Sequence, residues 1–74
     1  MVHRNGTTRQ RAQKNAKALW RIWQKIQDKP HAEDLGPAIR DLIIAQLAPW
    51  GLSPEEIKIP DHTWTQFIQR CASR

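Results

Sequence analysis

The residues with most chemical potential in this sequence are its cations. Arg9, Arg11, Lys14, Lys17, Arg21 and Lys25 fall in one stretch, RQRAQKNAKALWRIWQKIQ, that contains no acidic residue. With Arg4 ahead of them, they suit the binding of phosphates or of an acidic protein surface. Trp20 and Trp23 lie among them. A tryptophan bordered by arginine is a common anchor at protein interfaces and a platform on which an unpaired base stacks.

Other reactive side chains form no working set. His3, His31, His62 and Cys71 show neither C-x-x-C nor H-x-x-x-H spacing, whereas zinc takes about four convergent ligands. No metal or other cofactor is expected. The pairs Glu33-Asp34 and Glu55-Glu56 read as first-turn carboxylates at the positive ends of helices, since neighbours on a helix do not face each other. Asp61-His62-Thr63 reads as a helix start, no Gly-rich phosphate loop is present, and an enzyme is not expected.

Charge is divided along the chain. Of 74 residues, the first 29 carry eight basic residues against Asp28 alone, and the remainder carries four basic against six acidic. Like charges three and four apart weaken a helix by a few tenths of a kcal/mol per pair, so an uncompensated basic stripe points to an anionic partner. Cys71 is the single cysteine, so no internal disulfide forms and a reducing, cytoplasmic setting is expected. The longest apolar run, Leu42 to Ala45, is far below the roughly 20 residues of a membrane span.

The elements that position these groups follow from periodicity. Residues 1–7 read as a mobile basic arm and 8–74 as one helical domain, with Thr7 or Thr8 capping the first helix. Ala12, Ala16, Leu19, Trp23 and Ile26 recur at helical spacing. They place Arg11, Lys14, Lys17, Arg21 and Lys25 on the opposite side. Trp20 and Ile22 flank the stripe, Trp20 at the border of the basic face. Asp28-Lys29-Pro30 ends the helix. His31 to Leu35 reads as an irregular turn, and Gly36-Pro37 as the start of a second, nearly buried helix carrying Ile39, Leu42, Ile43 and Leu47. Pro49-Trp50-Gly51 stops it, with Trp50 either capping the core or projecting outward. Ser53-Pro54-Glu55-Glu56 opens a short turn that points Ile57 and Ile59 inward. Asp61 caps a last helix with Trp64, Phe67, Ile68 and Cys71 inside. The expected fold is all-α: three main helices and one short helical turn around one core.

Two readings of function follow. In one, the arm and first helix bind DNA or RNA without sequence preference, although no recognised nucleic-acid-binding signature is present. In the other, they dock on a protein. Size, charge distribution and the segment NAKALWRIWQKIQ behind a basic amino-terminal arm resemble small transcription regulators encoded by bacteriophages, of the type with which a lytic Xanthomonas phage inhibits host RNA polymerase and promotes antitermination. That resemblance implies binding to the large subunits of bacterial RNA polymerase and interference with initiation, termination or both. In either case the partner-binding residues are Arg4, Arg9, Arg11, Lys14, Lys17, Trp20, Arg21 and Lys25. The chain is expected to act as a monomer, with no membrane and no small-molecule substrate.

Overall fold

A computed structural model of the chain describes residues 8–72. The expected arm, with Arg4, lies outside the described residues. Three α-helices, α1 (Arg9–Ile26), α2 (Ala32–Leu47) and α3 (Asp61–Ala72), form the domain with short 3-10 turns at Ala48–Trp50 and Pro54–Ile57. α1 begins where Thr8 accepts a hydrogen bond from the Arg11 N–H at 3.1 Å, which satisfies one of the unpaired donors of its first turn. It ends at a tight turn in which Lys29 N–H bonds to the Ile26 carbonyl and Ala32 N–H to that of Lys29.

α2 differs from expectation at its start. It begins at Ala32, so Pro37 is inside the helix and Gly36 is not a cap. Pro37 cannot donate to the carbonyl four residues back, and the local sequence therefore favours a break. Packing overrides it: the earlier turn buries Ala32 and sets Gly36 directly against α1. A Cβ on Gly36 would meet the Trp23 ring at 3.2 Å and the Cys71 Sγ at 3.3 Å. Glycine is there because the helix backbone and the indole are nearly in contact.

The 3-10 turn that follows α2 ends by the left-handed cap rule. Gly51 has φ 63°, and Gly51 and Leu52 N–H groups return to the carbonyls of Ala48 and Leu47, both at 3.1 Å. At the Pro54 turn, the Ser53 N–H donates to Glu56 Oε2 at 3.1 Å, as the SPEE signature foretells. Lys58 then adopts φ 68°, a strained conformation for a residue with a Cβ. The reversal delivers both Ile57 and Ile59 to the core.

The core is aromatic at its centre. Phe67 lies 4.8 Å from Trp23, 5.3 Å from Trp20 in an edge-on arrangement and 5.5 Å from Trp64, centroid to centroid. Arg70 closes one end: its guanidinium sits 5.0 Å over the Trp23 ring, donates to the Gln27 carbonyl at 2.8 Å and reaches Glu33 at 3.5 Å. One side chain thus ties the end of α1 and the start of α2 to α3.

Two expectations about burial are corrected. Leu42 is 52% exposed, and Ile44 and Leu35 are exposed too, so α2 is not nearly buried. Its inward stripe is Ala32, Gly36, Ile39, Ile43 and Leu47, one helical step to the side of Leu42. Trp20, expected at a border, is 9% exposed and belongs to the core, whereas Ile22 on the other flank stays in solvent. α3 packs on the Trp20 side of α1 and nothing among the described residues covers Ile22.

Phe67→Ala should therefore cost about 3–5 kcal/mol in urea unfolding, and Leu42→Ala under about 1 kcal/mol because its side chain is already half in water. Equal losses would contradict the burial of Phe67 and the exposure of Leu42. Burial also pushes the Cys71 thiol above its ordinary value of 9.0, opposed by nearby Arg40 and Arg70. The folded state holds that proton longer than the unfolded chain does, so this contribution to stability is full below pH 9.0 and declines as pH rises beyond it. Comparing unfolding of the wild type and Cys71→Ala between pH 8 and 10 should show a steeper alkaline decline in the wild type.

Candidate anion-binding face

Burial of one side of α1 determines what its other side presents. Ala12, Ala16, Trp20 and Trp23 point into the core, and Arg11, Lys14, Lys17, Arg21 and Lys25 are all exposed on the reverse. They cover about 21 Å of helix length. Among the described residues no acidic side chain forms an ion pair with any of the five; the salt bridges present are Arg9–Glu56, Arg40–Asp41 and Arg70–Glu33. The face therefore carries an unneutralised positive field. A depression of about 330 Å³, lined by Thr8, Gln10, Arg11, Lys14 and Asn15, continues it to the start of the helix.

Arg9 differs from the other five. Its guanidinium pairs with Glu56 at 2.8 Å, which directs it toward the Pro54 turn and away from the basic stripe. That exposed pair is worth at most about 1 kcal/mol, and it partly neutralises a cation that the sequence assigns to the partner.

Trp20 does not stand out from the surface. Its ring is packed at 6.5 Å from Trp64 and 5.3 Å from Phe67. What remains accessible is an edge in a cleft of about 270 Å³ between α1 and α3, with Trp23, Phe67, Arg70 and the amides of Gln24, Gln27 and Gln66 around it. The exposed tryptophan is instead Trp50, 44% accessible, at the end of the molecule where α1 begins and α2 ends. Beside it an apolar groove of about 230 Å³ is lined by Ile44, Leu47, Ala48, Leu52, Pro54 and Trp64. The Pro-Trp-Gly turn left both orientations of Trp50 open. The deciding signal is that Pro49 and Gly51 fold the chain back at once, which carries Leu52 inward in place of the indole.

Among the described residues, no three histidine, cysteine, aspartate or glutamate side chains come together as metal ligands. No helix among them is long and apolar enough to cross a membrane. Among the described residues, α1 thus presents an exposed basic face, with a separate apolar groove at one end of the molecule. Comparison of the chain with protein-family models, with curated proteins and with solved structures found no match.

Proposed function

We propose that this chain is a binding module that lays the basic face of α1 along the phosphate backbone of DNA or RNA. The observation that supports it is the row Arg11, Lys14, Lys17, Arg21 and Lys25, exposed and without acidic partners among the described residues. About 21 Å of helix matches the axial rise of about six nucleotides in one strand of a duplex. Each neutralised phosphate releases a condensed counterion, so the row gains affinity from a nucleic acid that an ordinary solvated face does not. The burial of Trp20 withdraws its ring from base stacking as much as from a protein interface, so in this reading the charges alone carry the contact.

A second reading, a regulator docked on the large subunits of bacterial RNA polymerase, is favoured by one observation: Trp50 and Ile44 are exposed beside an apolar groove. A partly exposed tryptophan next to such a groove is typical of a protein-binding hot spot and has no use against duplex phosphates.

Binding to a duplex should weaken with salt at a slope of about −4 in log K against log [salt], for four to five phosphates neutralised. Lys14→Ala or Lys17→Ala should each flatten that slope by about 1. Trp50→Ala should leave duplex binding unchanged. If the polymerase reading is right instead, nuclease-treated lysate should still yield polymerase subunits on the tagged chain, and Trp50→Ala should weaken that capture by about 2 kcal/mol or more. A salt-independent interaction with duplex would contradict the first reading.

A further inference from the structure

One side of the α1–α2 pair is left apolar in water. Ile22, Leu35 and Leu42 are 49%, 41% and 52% exposed. On α2, Leu35, Ala38, Leu42 and Ala45 recur at spacings of three, four and three, a second stripe beside the buried one. On α1, Ile22 lies next to the half-buried Leu19 and Ile26. The two stripes adjoin. Asn15 Nδ2 donates to Gln46 Oε1 at 3.2 Å, and near the other end Trp23 meets Gly36. The antiparallel register those two contacts set brings Leu19 level with Leu42 and, just past Gly36, Ile26 level with Leu35, with Ile22 between. The Asn15–Gln46 bond also identifies the side: helical geometry puts Asn15 with Leu19 and Ile22, and Gln46 with Leu42 and Leu35. α3 occupies the other side of α1, against Trp20 and Trp23.

The borders of this strip carry opposite charge. Stepping outward from Ile22 on α1 leads to Arg21 and Lys25, and outward from Leu42 on α2 leads to Asp34 and Asp41, all exposed. Asp41 also pairs with its neighbour Arg40 at 3.0 Å.

We propose that the strip is the interface of a homodimer whose two-fold axis runs along it, in place of the monomer expected from the sequence. That operation lays α1 of one protomer antiparallel to α2 of its partner and stacks Ile22, Leu35 and Leu42 of both. It also sets the Arg21–Lys25 rim of each against the Asp34–Asp41 rim of the other, so that in the dimer these two cations share their charge with the partner and Arg11, Lys14 and Lys17 remain fully available to phosphates. A two-fold axis across the strip would oppose like charges and is excluded on that ground. The self-complementary pattern is what an isologous contact needs. A uniformly acidic partner would instead leave Asp34 and Asp41 facing like charge along a whole rim. Two helices of this length side by side present a footprint of about 500 Å² per protomer, at the small end of specific interfaces, so a weak dimer is expected.

Sedimentation equilibrium of the full chain, freed of nucleic acid and run from micromolar to millimolar concentration, tests this separately from phosphate binding. A monomer–dimer equilibrium is expected. Leu42→Asp should abolish it while leaving the helical circular dichroism unchanged, since Leu42 is outside the core. Asp34→Lys should weaken dimerisation at least tenfold, and Asp34→Lys combined with Lys25→Asp should restore it. A wild type that stays monomeric at millimolar concentration overturns the proposal and gives the strip to a different protein. So does a Leu42→Asp variant that dimerises like the wild type. Either outcome leaves the reading of the basic face standing, because that rests on salt-dependent duplex binding.

Discussion

Everything in this molecule depends on the contact of Phe67 with the indoles of Trp20, Trp23 and Trp64. A chain of 74 residues with one cysteine has neither the volume for a large aliphatic core nor a disulfide to restrain its unfolded state. Large rings compensate, because each buries roughly 150–250 Å² and gains further from edge-on and offset packing. Phe67 on α3 touches both tryptophans of α1, and that fixes the side on which α3 lies. The close approach of Gly36 to Trp23 then fixes α2, and Arg70 locks the arrangement by covering the same indole and bonding to the end of α1.

The rotational setting of α1 follows from this cluster, and the position of the basic face follows from the setting. With Trp20 and Trp23 turned inward, the lysines and arginines on the far side have no element to pack against and no acid to pair with among the described residues. Repulsion within the row is tolerated because the aromatic contacts hold the helix. An isolated helix with this sequence would be weakened by its own charge; attached to Phe67, it can present that charge as a fixed row. Stability is thus located on one side of the helix, and the face proposed for binding is on the other.

Much of this was legible in the sequence. The period of α1, the SPEE turn, the inward Ile57 and Ile59 and the stripe of α3 were all readable, because each is a local pattern with a local cause. The misreadings arise where distant contacts decide. The flanks Trp20 and Ile22 are nearly equivalent on a helical wheel, and only the location of α3 chooses between them. Gly36-Pro37 reads as a helix start by every local rule, yet the need to place a residue without Cβ against Trp23 draws the helix five residues back. Leu42 reads as core because α2 has apolar residues around more than half its circumference, and periodicity alone does not say which part of so wide a face is covered. For the site, the cations of α1 were identifiable by their type and spacing, whereas the pairing of Arg9 with Glu56, 47 positions away, was not.

The central claim is that the far side of α1 is the surface that meets a phosphate backbone. The most direct measurement is a titration of the isotopically labelled chain with a short DNA duplex, followed by amide chemical shifts at low and high salt. The account predicts shifts concentrated at Arg11, Lys14, Lys17, Arg21 and Lys25 and their neighbours, little change at Phe67 or Cys71, and reversal at high salt. Shifts confined to Trp50 and to the groove lined by Leu47 and Leu52, or persisting unchanged in high salt, would contradict it.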